Sequence, residues 1–241
     1  MELKPIVGMV ALVLGLFLQL SPFPEMIKGF WKGDIKSMTI GYFLAGITQS
    51  CFWIGYGACL NDFFVYFPNI TTVTLFTLFL NMLIYVKKKY NYFFLLNAMI
   101  IFQLIIILSL LPEHVCDTSA TIISLVWQTT NLETMKLALK YHSQEYINPL
   151  LSFISLLAFS SGCFYSILIR GLMMFITNSY GIMINIINLY LYLWAGGFFN
   201  KDNAFVNFLS KILKIEDIKE DINNNNKDFD IIDKEQFLNK I

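Results

Sequence analysis

Charged residues are scarce in this chain. Asp, Glu, Lys and Arg make up 14% of its 241 residues, whereas a soluble domain carries roughly 25%. Hydrophobic residues account for 56%, and the formal net charge is zero. The low charge excludes an ordinary soluble domain and predicts an integral membrane protein in a lipid bilayer. The zero net charge gives no reason to expect a nucleic acid as a partner.

Residues for catalysis and metal binding are also few. No P-loop or HExxH pattern occurs, and no Ser/His/Asp set has plausible spacing. The stretch EHVCD at 113–117 fits a short polar loop better than a metal site, because nothing else completes a ligand set. We therefore expect no enzyme, no cofactor and no metal. Free thiols are expected at the four scattered cysteines, Cys51, Cys59, Cys116 and Cys163.

Long apolar runs are abundant. A span needs about 20 apolar residues, and Pro22 and Pro24 should bend or break the first run near the membrane surface. The polar stretch after Asn200 predicts a mostly disordered cytosolic tail, whose start has the spacing of a helix lying on the membrane surface. Seven segments qualify as spans: 5–27, 38–60, 64–86, 92–111, 119–140, 147–169 and 173–198.

Lysines concentrate in one of the two sets of loops between these spans. The opposite set holds only Lys4 and Arg170. By the positive-inside rule the N-terminus lies outside and the C-terminus in the cytosol, as an odd number of spans requires. We expect the plasma membrane more than an internal one. The lysine-rich loops contain Lys28, Lys32, Lys36, Lys87, Lys88, Lys89, Lys136 and Lys140.

Ionisable residues are missing from the middles of spans two, three, four and seven. Pumps and proton-coupled carriers normally place a carboxylate or histidine there. The sequence therefore predicts uncoupled passage of a small neutral solute.

Asparagines interrupt the last span. An amide without a partner in hydrocarbon costs several kcal/mol, yet Asn178, Asn185 and Asn188 share one helical face, within about 80°. Such stripes predict a polar interior, although interhelical hydrogen bonding is the alternative reading for a single Ser, Thr or Gly. Similar stripes mark span two (Gly46, Ser50, Trp53 and Gly57) and span five (Thr121, Ser124, Gln128 and Asn131).

The chain contains an internal repeat. When the first half is aligned with the second so that Asn69 falls on Asn178, Tyr56 falls on Tyr165 and Trp53 on Gly162. This repeat alignment predicts an all-α fold integral to the membrane, with seven transmembrane helices arranged as two parallel three-helix repeats and a linker helix (3+1+3). A substrate site is expected between the halves. The predicted segments are 1–90 (first repeat), 91–117 (linker), 118–199 (second repeat) and 200–241 (tail).

Three segments of the first half, SPFPEMIKGFWKGDIKS, CFWIGYG and NDFFVYFPNITT, resemble the first repeat of SWEET sugar transporters. In the second half, TTNLETMKLALKYHS and TNSYGIMINIINLYLY resemble family segments more loosely. The family's second pocket tryptophan falls at Gly162, and its span-five and span-six prolines fall at Asn131 and Asn148. The matching residues of the first half are Pro22, Pro24, Lys36, Ser37, Trp53, Tyr56, Gly57, Asp62, Pro68 and Asn69.

The resemblance implies a facilitative, bidirectional sugar uniporter, commonly a homo-oligomer. Aromatic rings suit a sugar's apolar face and amides suit its hydroxyls. We expect Trp53 to stack on the sugar between Asn69 and Asn178, with Gly162 opposite Trp53 leaving the pocket one wall short. Ser50 and Asn131 complete the expected substrate-binding set. The expected gating residues are Tyr56, Tyr165, Asp62, Pro22, Pro24 and Asn188.

Two alternatives remain open from the sequence. A seven-helix receptor would share the span count and orientation, although short loops and a repeat are not typical of it. A related PQ-loop-like transporter of another neutral solute would share the fold, although its paired Pro-Gln turns are absent.

Overall fold

The computed structural model describes residues 3–33, 40–200 and 203–213, and the regular structure of that part is helical. Residues Lys36 and Ser37 and most of the predicted tail lie outside the described residues. The helices are α1 Leu3–Leu20, α2 Phe23–Lys32, α3 Ile40–Cys59, α4 Phe63–Val86, α5 Phe93–Leu110, α6 Glu113–Gln128, α7 Asn131–Tyr141, α8 Pro149–Ile169, α9 Leu172–Ala195 and α10 Ala204–Ile212, with single 3-10 turns at Tyr90–Tyr92 and Gln144–Tyr146.

Five segments are long and apolar enough to cross a bilayer, namely Leu3–Leu20, Phe63–Val86, Tyr90–Leu110, Pro149–Ile169 and Leu172–Ala195. With α3 and α6 they make up the seven helices of the predicted 3+1+3 arrangement. Helix α3 is more polar because it is central: ten of its 20 residues are buried. A helix enclosed by other helices needs no lipid-facing apolar surface.

The first helix is interrupted where its prolines occur, as the sequence predicted. Helix α1 ends at Leu20, and α2 begins at Phe23. Pro22 occupies the N-cap position of α2 and Pro24 lies in its first turn. The missing N–H of proline needs no partner in a first turn.

The fifth span is also interrupted, so the prediction of one helix over 119–140 was wrong. Helix α6 begins earlier, at Glu113, because EHVCD forms its first turns and not a loop. Its end coincides with the position that the repeat alignment makes equivalent to the break in the first helix. No proline lies between α6 and α7. Three side chains there donate hydrogen bonds to the last carbonyls of α6: Thr129 to Val126 at 2.5 Å, Thr130 to Trp127 at 2.7 Å and Asn131 to Gln128 at 3.2 Å.

The chain forms two compact units, and the first comprises Met1–Asn131 and Asn148–Leu189. In it α3 packs against α4, α5 and α6, and α1 packs against α4 and α8. The repeat alignment exchanges the α3–α6 and α1–α8 interfaces, which is the packing expected of parallel repeats. Gln19 ties α1 to α4, since its amide donates to the Pro68 carbonyl at 2.9 Å and accepts from Thr71 at 2.7 Å.

The second unit comprises Leu132–Ile147 and Tyr190–Ile241. Its contacts include the Gln144 amide donating to the Tyr192 carbonyl at 3.0 Å, and the His142 ring packed edge-on against Trp194. Helix α10 buries Val206 and Leu209, so the start of the predicted tail is helical, as its apolar spacing indicated.

Candidate functional site

A cavity of about 180 Å³ lies within the first unit, between α1, α3, α4, α6, α8 and α9. Its wall contains no Asp, Glu, Lys, Arg or His among the described residues. Four residues predicted to bind substrate line it: Trp53, Asn69, Gly162 and Asn178. Tyr165, which was predicted to gate, lines it too.

Two asparagines hold the same pose in the two repeats. Nδ2 of Asn69 donates to the Val65 carbonyl at 2.7 Å, and Nδ2 of Asn178 donates to the Met174 carbonyl at 2.8 Å. The amide orientation is determined chemically, because a carbonyl oxygen only accepts hydrogen bonds. The donor and acceptor of each bond are one helical turn apart. The repeat alignment makes the two bonds equivalent. Oδ1 of each asparagine receives no hydrogen bond from a described protein donor, so an acceptor from each repeat is left for a ligand.

Gln128, on α6, supplies a third acceptor. The residue is only 4% exposed, and its Nε2 donates to the Thr177 carbonyl at 3.4 Å. Its Oε1 is buried and has no hydrogen-bond partner among the described residues. A buried acceptor without a donor costs about 1–3 kcal/mol, which a ligand hydroxyl or an ordered water in the cavity would remove.

Two indoles contribute to the wall, and a hydrogen bond holds the edge of each. Nε1 of Trp53 donates to the Ser124 hydroxyl at 3.1 Å, and Nε1 of Trp127 donates to the Tyr42 carbonyl at 3.1 Å. Because the N–H groups are used within the protein, only apolar ring surface remains for contact with a ligand.

The space over Gly162 is filled by Asn178. A Cβ at position 162 would lie 2.6 Å from Oδ1 and 2.9 Å from Cγ of Asn178. Of two neighbouring rings that could replace a tryptophan, Phe159 lines the cavity against Gly181, whereas Phe164 is 66% exposed. The wall that the sequence predicted to be open is therefore covered by an amide.

One end of the cavity is closed by a cluster around Asp62, the N-cap residue of α4. Asp62 accepts a hydrogen bond from the Phe64 N–H at 3.1 Å. The Tyr165 hydroxyl donates to its two carboxylate oxygens at 2.6 and 2.8 Å, and Lys4 Nζ lies 2.9 Å from Oδ2. Asp62 and Tyr165 are 7% and 1% exposed. This contact joins α1, α4 and α8, and so it connects the two repeats.

Seven of the predicted site residues, Asp62 of the closing cluster among them, do not line the cavity, and their roles stay predictions. Ser50 and Asn188 are buried, and within the described part of the chain Ser50 Oγ and Asn188 Oδ1 have no hydrogen-bond partner. Asn131 bonds the end of α6. Tyr56 packs edge-on against Trp53, and Pro22 and Pro24 lie at the start of α2.

The wall also contains residues that were not predicted to bind substrate. Gln128 and Ser124 lie on the polar stripe of span five, so the sequence carried a signal for them. Trp127 and Phe159 gave no polar signal, because a wall aromatic resembles a packing aromatic in sequence. The polar and large aromatic members of this set include Gln49, Ser124, Trp127, Gln128, Phe159 and Thr177.

Comparison with known proteins agrees with this architecture. Residues 5–91 match the family model described as sugar efflux transporter for intercellular exchange. The fold is similar to the structure of a eukaryotic SWEET transporter, with a TM-score of 0.71 and 15% sequence identity over 80% of this chain and 97% of that one. No curated protein sequence matches the chain. The first repeat is therefore similar in sequence to this sugar efflux transporter family, and the chain has the fold of the eukaryotic SWEET transporter.

Proposed function

We propose that this protein is a facilitative, bidirectional sugar uniporter, which alternates access to the cavity without a coupling ion or a cofactor. The observation that carries the proposal is the matched pair of asparagine acceptors, one from each repeat, at one cavity. A site shared by two repeats can be exposed to either side as the repeats move against each other.

The wall chemistry supports a neutral polyol as the substrate. Sugar hydroxyls can donate to Oδ1 of Asn69, Oδ1 of Asn178 and Oε1 of Gln128, while the rings of Trp53 and Trp127 cover the apolar face. A carboxylate or phosphate group would be disfavoured, because burying a charge without a countercharge is costly.

The charge distribution supports an orientation for this transporter. By the positive-inside rule, the lysine-rich loops favour the cytosolic side for themselves and the outside for the Asp62 end of the bundle. In this proposal Asp62 and Tyr165 close the outer gate, and Tyr56 lies beside it. Pro22 and Pro24 shape the inner end of the first helix. In this proposal the plasma membrane is the location, and the predicted segments 1–90, 91–117 and 118–199 move as repeat, linker and repeat.

Uptake of radiolabelled sugars into proteoliposomes tests the proposal. Asn69→Ala and Asn178→Ala should each raise KM by roughly five- to 150-fold, since losing a buried hydrogen-bond partner costs about 1–3 kcal/mol. Asn185→Ala is the matched control. Its Nδ2 makes the same bond one turn back, to the Gly181 carbonyl at 2.8 Å, but it does not line the cavity.

Two results would overturn the proposal. One is a lack of saturable uptake of any sugar by the folded wild-type protein. The other is an unchanged KM in both cavity variants, which would remove the asparagine pair from the pathway.

A further inference from the structure

The closure at the Asp62 end is asymmetric. The repeat alignment, which places Tyr56 on Tyr165, also places Asp62 on Gly171. Two equivalent tyrosine–carboxylate pairs could therefore form, each with its tyrosine from one repeat and its carboxylate from the other. Only the pair of Tyr165 with Asp62 has its carboxylate.

The incomplete pair is nevertheless assembled in space. A Cβ at Gly171 would lie 3.3 Å from the Tyr56 hydroxyl oxygen, and Tyr56 is 4% exposed. The outer end is therefore closed by one hydrogen-bonded pair where two could form. A residue that positions Asp62 then has a larger effect on this closure.

Lys4 supplies the countercharge that positions Asp62. Its Nζ is 2.9 Å from Oδ2 of Asp62, and its side chain is 50% exposed while that of Asp62 is 6% exposed. Nζ also lies 6.0 Å from the Tyr165 ring centroid. Without Lys4, the buried carboxylate would keep the Tyr165 hydroxyl and its cap bond to α4 but would lose its countercharge.

We propose that Lys4 is a positioning residue of the outer gate: by pairing with Asp62 it sets the fraction of transporters closed to the outside. This inference rests on the proposed uniporter and its orientation. Apparent affinity on one side scales with the fraction of protein open to that side. Weakening the outer closure should therefore lower the external KM and raise the internal KM.

Lys4→Met removes the charge and keeps the aliphatic stem. The ratio of external to internal KM, measured by influx and efflux in proteoliposomes of known orientation, should fall about two- to fivefold, the upper part of the range for a partly exposed ion pair. Lys4→Arg should restore the wild-type ratio. Lys28→Met, on α2, should leave it unchanged. Loss of folding or lower expression changes the maximal rate but not this ratio.

Gly171→Asn tests the missing pair independently. The amide of asparagine supplies a neutral acceptor for the Tyr56 hydroxyl. A carboxylate at position 171 would instead be repelled by Glu113 and Asp117, whose negative charges act on Tyr56. The ratio should rise, opposite to the effect of Lys4→Met. A ratio unmoved or raised by Lys4→Met, or unmoved or lowered by Gly171→Asn, overturns the inference. If the wild type transports no sugar, the proposed function itself fails, which is a separate result.

Discussion

Replacing Gly162 by alanine should displace the Asn178 amide, which we propose binds the substrate. The new methyl would lie 2.6 Å from Oδ1, whereas ordinary contact begins at 3.4 Å, so a retreat of about 0.8 Å is required. The amide cannot retreat without strain, because its Nδ2 is bonded to the Met174 carbonyl at 2.8 Å. Either that bond lengthens or α8 moves away from α9, and in both cases the acceptor is misplaced.

The expected effect is a large rise in KM. A misplaced acceptor loses much of a buried hydrogen bond, about 1–3 kcal/mol, which corresponds to roughly five- to 150-fold in affinity. The maximal rate should change less, since the hydrogen bonds of the Asp62 closure do not involve Asn178. A larger residue at 162, such as tryptophan, should abolish transport by overpacking.

Gly15→Ala is the matched control for Gly162→Ala. Gly15 also lines the cavity, but a Cβ there meets no atom of the described residues within 4 Å. Initial uptake rates over a range of sugar concentrations, normalised to reconstituted protein, give both KM values. If Gly162→Ala and Gly15→Ala share the wild-type KM, then Asn178 does not hold the sugar as argued.

Transport should be indifferent to proton and sodium gradients and to membrane potential, because no acidic or basic side chain of the described residues lines the cavity; accumulation above equilibrium under any of these gradients would contradict this. Trp127→Leu should raise the sugar KM several-fold by removing ring surface from the wall, and equal KM values for it and for Trp31→Leu, on an 82% exposed residue, would refute the contact. Gln19→Leu should lower the melting temperature in detergent by roughly 2–8 °C, as two hydrogen bonds between α1 and α4 are lost. Thr74→Val should cause a much smaller shift, because among the described residues the Thr74 hydroxyl bonds only its own helix. Equal shifts would argue against the tie between α1 and α4.

Hydrophobic run length was sufficient to predict most helices, since the bilayer sets a minimum that few other structures share. It failed at α6, where the break depends on Thr129 and Thr130 turning their hydroxyls back to the helix. These side-chain hydrogen bonds compete locally with the backbone hydrogen bonds of the helix. The length of an apolar run cannot predict them. The proline break near Pro22 was predictable because proline acts through its covalent structure.

The repeat located part of the cavity wall. Asn69 and Asn178 were predictable because an amide in lipid needs a partner and because the two residues are equivalent. Ser50 and Gln49 show where this reasoning ended. Neighbouring helical positions differ by about 100°, so a small error in the assumed rotation of α3 selected Ser50, which is buried, in place of Gln49, which lines the cavity.

The interruption between α6 and α7 bears on how such proteins diverge. Three side-chain hydrogen bonds, made by Thr129, Thr130 and Asn131, cap the end of α6 at the position where prolines follow the end of α1 in the first half. Because three side chains share this role, the break does not depend on a residue of one type. A family model that relies on a proline at this position would therefore not match this half, in keeping with a family match that ends at residue 91. Distant relatives with one recognisable half are better sought by the spacing of their helix interruptions than by their motifs.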